Sequence, residues 1–289
     1  MKQKVAALLL LLVAMAWGAS FVFMKDVLDR QSVNSFLFYR FAMAAIVLLI
    51  IHPQILRKLN WDNLKTGGIT GIFLGAGFIL QTYGLTMTGA AITGFITGLY
   101  VVATPLFEQF FGGRKLGRRI WVSIGIATTG LALLSLKGFA VGIGEMLVLL
   151  SALCYTGQII GLSKWSKGRD LWTMAWIQIA VVALMTGVAS FAEGIETPPD
   201  NEVWAVIIFT AIVSTVSAFI IQTWSQSIIE STKAAVIMTM EVVFSAIFAV
   251  SIGGEILSLR TLIGGTLVVI SMYVIVFHES SQKRVPIND

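Results

Sequence analysis

Apolar runs dominate the chain, each ended by charge, glycine or proline. A run of about 17–23 apolar residues is the length of a bilayer-crossing helix. Ten such runs can be read, at 4–24, 33–51, 67–86, 91–111, 120–136, 141–163, 171–191, 203–224, 234–252 and 261–277. The connections between them are short, as between adjacent antiparallel helices, and 281–289 reads as a disordered tail. Polar positions inside the runs are few, and one group occurs twice. Phe78-Ile79-Leu80-Gln81-Thr82-Tyr83 returns 141 residues later as Phe219-Ile220-Ile221-Gln222-Thr223-Trp224. Glutamine and threonine in hydrocarbon are costly unless they face protein or water. Two copies at one spacing predict two halves that each offer a polar pair to a shared interior.

The repeat extends beyond that motif. Arg40-Phe41-Ala42 matches Gln178-Ile179-Ala180 at an offset of 138, and Ala14, Trp17 and Gly18 fall opposite Ala152, Tyr155 and Thr156. Gly125 pairs with Gly264 at 139, a drift that loop-length changes produce. The spacing divides the chain into 1–138 and 139–280, with five spans in each half. An odd number of spans turns the second half upside down in the membrane. Inverted repeats of this kind are a signature of secondary transporters, with the site near the midplane between halves.

Charge orients the spans. With the termini inside, 15 lysines and arginines lie in inner loops and the tail, against Lys25, Arg30, Lys137 and Arg260 outside, so both ends are expected in the cytoplasm. The connection holding Glu193, Glu196, Asp200 and Glu202 has no base and falls outside. Composition agrees with a membrane protein: 57% of the residues are hydrophobic and 12% charged, against about 25% charged in soluble domains. The net charge of +5 therefore marks cytoplasmic loops rather than nucleic-acid binding. Cys154 stands alone, which excludes an internal disulfide or a multi-cysteine metal site. Lys2, Lys4 and Ala14-Met15-Ala16 resemble a signal peptide. The apolar run continues through Met24, however, and has a partner in the second half, so it reads as a span.

Two five-span halves, Trp17-Gly18 with Ser20 and Lys25, Arg40 opening the second span, Pro105 in the fourth, and Gly254-Glu255-Ile256-Leu257 after the ninth form an ordered set over about residues 5–280. That set resembles the EamA-type branch of the drug/metabolite transporter superfamily. Two positions depart from the family pattern. Glu241 is followed by Val242 where proline is common, and Gly113-Arg114 stands where a twin of Gly254-Glu255 would fall. The resemblance implies a carrier of small metabolites or drugs with a central cavity lined by spans 1, 3, 4 and their repeat partners.

Within the spans, Glu241 lies eight residues past Lys233, on the order of 12 Å deep at about 1.5 Å per residue. A carboxylate at that depth is a functional candidate, to neutralise a substrate amine or bind a coupling proton. Its alternative is a protonated or arginine-paired structural role. Gln81 and Gln222 can donate and accept, which suits a zwitterionic or amide-bearing substrate, or they bond neighbouring helices. Trp17, Tyr100 and Tyr155 are candidate aromatic walls for an organic ligand, and Tyr100 coincides with Glu241 under the 141 offset. Arg40 and its counterpart Gln178 are expected to brace helices, to pair with a buried acid or to couple, in preference to contacting substrate. Pro105 should kink its helix and is a candidate hinge. Gly67, Gly71 and Gly75, spaced by four, should admit a close neighbour.

The six aspartates all fall in connections or the tail, and both histidines at or beyond span ends. That arrangement argues against an intramembrane aspartyl, serine–histidine or zinc enzyme, and no cofactor is expected. A channel would want a continuous polar pore. The expected function is a multi-pass inner-membrane carrier for a small-molecule substrate, best an exported amino acid or related amphiphile, with multidrug efflux as the alternative. Proton coupling and facilitation are both compatible with the sequence, as are a monomer and a weak dimer.

Overall fold

A computed structural model describes residues 2–112, 117–137, 140–165, 168–226 and 237–282. Helices carry the described chain: α1 Lys2–Val27, α2 Val33–Ile51, α3 Trp61–Met87, α4 Ala90–Thr97, α5 Tyr100–Gly112, α6 Arg118–Ser135, α7 Ile143–Trp165, α8 Leu171–Glu193, α9 Asn201–Ala211, α10 Ala218–Gln226, α11 Met240–Ser251 and α12 Leu259–Gln282. A 3₁₀ turn at Pro53–Lys58, a π-helical segment at Ile212–Ser217 and a two-residue ladder pairing Leu136–Lys137 with Ala140–Val141 complete the described elements. Six helical segments are each long and apolar enough to cross a membrane: Lys2–Val27, Val33–Ile51, Trp61–Met87, Ile143–Leu162, Leu171–Glu193 and Asn201–Gln222. The other expected spans fall on α6 and on the shorter apolar helices Ala90–Thr104, Met240–Ser251 and Leu259–Val274. Residues 227–236, including Lys233, and 283–289 of the expected tail lie outside the described residues, as do Gly113 and Arg114.

Short polar side chains start several helices. Asn60 accepts from the Asn63 amide, Asp170 from Thr173 and Asp200 from Val203, each satisfying an amide that the first helical turn leaves free. Apolar side chains point both ways. Phe36, Leu37, Phe41 and Leu48 of α2 are fully enclosed, whereas Ile46 and Ile50 are exposed. Leu184, Val188 and Phe191 form an exposed apolar stripe at helical spacing on α8. Such a stripe would aggregate in water and is what a helix shows to lipid.

Packing follows the repeat. With α1 matched to α7, α2 to α8, α3 to α9–α10, α4–α5 to α11 and α6 to α12, contacts exchange in pairs. Helix α3 packs on α7 as α10 does on α1, and α3 packs on α8 as α9 does on α2. Helix α4 packs on α7 as α11 does on α1, while α2 meets α8 and α6 meets α12 directly. Glycines set the closest approaches. A Cβ on Gly67, Gly71 or Gly75 would lie 2.8, 2.8 or 2.7 Å from Ile177, Val181 or Met185. A four-residue ladder on α3 thus meets a four-residue ladder on α8. The repeat-matched Gly125 faces open space, and it is Gly130 that meets Gly264, each backbone oxygen within 3.0 Å of the other's missing Cβ.

Polar side chains tie the halves together at both helix ends. At one end Arg30 bonds Asp200 at 2.8 Å, Glu202 at 3.0 Å and Asp26 at 3.2 Å. At the other, Lys58 meets Asp170 at 2.7 Å and Arg169 meets Asp62 at 2.5 Å. Glu255, left without a role by its motif, caps α4. Its carboxylate accepts from the amides of Ala90 at 2.5 Å and Ala91 at 3.3 Å, and lies 3.8 Å from Lys25 Nζ. A negative charge there complements the positive end of the helix. Gly89 leaves it room, since a Cβ would lie 2.7 Å from Glu255 Oε2.

Candidate functional site

The polar cluster of interest forms where α1 and α2 meet the π-helical turn of the second half. Ile212–Ser217 reads Ile-Val-Ser-Thr-Val-Ser, residues whose branched or hydroxyl side chains hold a helix poorly. The turn widens there, a feature that recurs at functional sites. It presents Ser214 and Thr215 to the first half. Trp17 Nε1 donates to the Ser214 carbonyl at 2.8 Å, and the Ser20 and Ser214 hydroxyls are 2.7 Å apart.

Arg40 comes from the other side. It is 3% exposed, and its Nε and Nη2 both donate to Thr215 Oγ1 at 3.2 Å, with Nη1 on Met24 Sδ at 3.3 Å. The guanidinium lies 5.1 Å from the Phe41 ring centre and 5.0 Å from that of Phe78, the first residue of the repeated motif. Phe78 then meets the edge of Tyr155 at 5.6 Å. Tyr155 OH donates to Gln81 Oε1 at 3.0 Å, and Gln81 Nε2 donates to Thr97 Oγ1 at 2.9 Å. One line of contacts therefore joins α2, α3, α7 and α4. Gly77 presses on the Tyr155 ring, since a Cβ there would sit 2.6 Å from Cε1.

Tyr100 and Glu241 lie beside helix breaks. Helix α4 ends at Thr97 and α5 begins at Tyr100; in the second half residues 237–238 are helical, Thr239 turns, and α11 begins at Met240. Gly98 and Thr239 are 141 residues apart, the offset of the opening motif, so both repeats interrupt this helix at the same position. Discontinuous helices at a repeat interface are where transporters build binding sites. Glu241 has neither a hydrogen-bonded nor an ion-paired partner among the described residues. Tyr155 stands in electrostatic range of both Arg40 and Glu241, and Tyr100 in range of Glu241. Gly18 brings α1 against this segment: a Cβ would lie 2.7 Å from the Ser245 amide and 3.0 Å from the Glu241 carbonyl.

Other candidates lie apart from this group. Among the described residues Gln222 Nε2 donates to Met238 Sδ at 3.8 Å, and no hydrogen bond joins it to Gln81. Gln178, the repeat counterpart of Arg40, accepts from Gln158 at 2.8 Å and donates to the Met174 carbonyl. Helix α5 includes Pro105, and an interruption falls at 98–99, where Met272 and Val242 crowd Gly98 to 2.3 and 2.6 Å of a Cβ. The side chain of Pro105 lies outside the described residues. Ser20, Thr97, Ser214 and Thr215 were not singled out by hydropathy, because a hydroxyl hardly interrupts an apolar run. The usable signal was Ser-Thr at 214–215 within a span. No group of three metal-ligating side chains occurs among the described residues. A buried cation, an unpaired carboxylate, amide groups and aromatic faces together suit reversible holding of a small polar organic molecule.

A sequence model described as the EamA-like transporter family matches the chain twice, over residues 4–136 and 142–277. An uncharacterized transporter of Archaeoglobus fulgidus is 31% identical over 276 residues, covering 95% of this chain and 86% of the relative. A second uncharacterized transporter of that organism is 25% identical over 285 residues, covering 92% and 95%. A solved crystal structure shares the fold, with a TM-score of 0.66 at 16% identity over 97% of this chain and 99% of that one.

Proposed function

Starting from the family to which the chain belongs, the EamA-like transporters, we propose that it exports an amino acid or related small amphiphile by alternating access. In this reading ten spans, both termini in the cytoplasm, form two inverted halves, 1–138 and 139–280, in a cell's inner membrane. The halves rock about a cavity between them, and the broken helices flank the substrate. Trp17, Tyr100 and Tyr155 form its walls, Gln81 and Gln222 bond it, and Glu241 neutralises its amine. Pro105 acts as a hinge.

The observation that carries the reading is the meeting of Trp17, Ser20 and Arg40 with Ser214 and Thr215, polar groups of opposite halves inside the apolar segments. Intramembrane polar groups are retained where they face a pathway or one another. Counterflow in proteoliposomes tests it. Vesicles preloaded with an unlabelled amino acid should transiently concentrate the labelled one, which a channel does not do. Equilibration without overshoot for every amino acid and amphiphile tried would overturn carrier action. Overshoot with cationic dyes alone would replace amino acids by multidrug efflux.

A further inference from the structure

Arg40 carries a formal charge that the described protein does not neutralise. It starts seven residues into α2, roughly 10 Å from the helix end at 1.5 Å per residue, and no carboxylate of a described residue reaches ion-pair distance. Arginine has five N–H donors and stays protonated in proteins. Three donor contacts are made, two to one threonine hydroxyl and one to a thioether, so two N–H groups have no acceptor among the described residues. Thioether sulfur is a weak acceptor, readily displaced by carboxylate oxygen, which matches the planar guanidinium fork. Phe41 and Phe78 disperse part of the charge through their faces. A buried cation in this condition still pays for its lost hydration.

We propose that Arg40 is the anion-recognition residue of the carrier and takes the carboxylate of an organic acid whose apolar part lies along Phe41, Phe78 and Tyr155. It rests on the transporter reading and narrows the substrate to carboxylate-bearing compounds. Tyr155 stands in electrostatic range of both Arg40 and Glu241, so a zwitterion would find a partner for each of its charges.

Purified full-length protein is titrated with benzoate and with uncharged benzamide, following thermal stability at constant ionic strength. A ligand stabilises the state that binds it. Benzoate should raise the melting temperature by several degrees and benzamide should not. Arg40→Gln should abolish the difference, and Arg40→Lys should keep it at about tenfold higher ligand concentration. Equal responses to both compounds, no response to benzoate, a response to inorganic phosphate alone, or a benzoate response that survives in Arg40→Gln each overturn the proposal. Should Arg40→Gln not fold, the wild-type comparison and Arg40→Lys still decide. Amino acids and their methyl esters form a separate arm. If benzoate acts through Arg40 while no amino acid exchanges in counterflow, the anion site stands and the amino-acid reading falls. If amino acids exchange while acid and ester bind alike, the anion site falls and the carrier remains.

Discussion

Gly18→Ala offers the sharpest test of how the halves are joined. The added methyl would meet the Ser245 amide at 2.7 Å, Phe244 Cβ at 2.8 Å and the Glu241 carbonyl at 3.0 Å. Ordinary contact begins near 3.4 Å, so α1 and α11 must part by about 0.7 Å, and two of the obstructing atoms are backbone that no rotamer can move. Overpacking of this kind costs about 1–3 kcal/mol. The intrinsic gain of alanine over glycine in a helix, about 0.5–1 kcal/mol, offsets only part of that. The net loss should lower the melting temperature by about 2–6 °C, read by scanning fluorimetry on purified protein. Gly68→Ala is the control, because nothing lies within 4 Å of its Cβ position; it should melt at or above the wild type. The displaced backbone carries Glu241, so Gly18→Ala should also reduce transport in proteoliposomes. Matching melting curves for wild type and Gly18→Ala, with unchanged transport, would refute the close α1–α11 packing.

Three further outcomes are expected. Glu241→Gln should abolish counterflow while size-exclusion behaviour and helical circular dichroism stay normal; full transport in that variant removes Glu241 from the mechanism. Glu255→Ala should destabilise the protein by about 1 kcal/mol through loss of the α4 cap, seen as a lower melting temperature, with Glu255→Gln intermediate because it keeps an acceptor but not the charge facing Lys25; an unchanged melting point for both denies the cap. Asp170 supplies a pH dependence. Burial works to raise its carboxyl, but the hydrogen bonds from Lys58 and Thr173 outweigh it and hold it below the usual carboxylate value. A carboxyl lower in the folded than the unfolded chain stabilises above the unfolded value of about 3.9, and that stability is lost as pH falls through the folded value. Melting temperature should therefore drop more steeply below about pH 4 in wild type than in Asp170→Asn; parallel curves contradict the assignment.

Much of the architecture is legible in the sequence. A bilayer forces each crossing segment to satisfy its own backbone, so a helix there must announce itself as an apolar run of fixed length, and the runs at 4–24, 33–51 and 171–191 lie on α1, α2 and α8. Duplication is equally local to read. The offset of 141 taken from Gln81 and Gln222 also relates the breaks at Gly98 and Thr239, although neither residue marks a break by itself. Spacing likewise announced the glycine ladder on α3.

Partners were another matter, because contacts between distant segments leave no local trace. Nothing in Gly67, Gly71 and Gly75 names Ile177, Val181 and Met185 as the residues they admit. Gly264 packs on Gly130, a contact that no repeat offset announces, since helix rotation decides which glycine faces inward. Arg40 and Gln178 share a repeat position but not an environment: one is lodged between phenylalanine faces on a widened turn of the other half, the other bonds Gln158. Periodicity determined which stretches became helices and that there were two sets of them. Only tertiary packing brought Trp17, Ser20, Arg40, Ser214 and Thr215 together, because each helix reports its own apolar length while the polar site is written in side chains of separate helices.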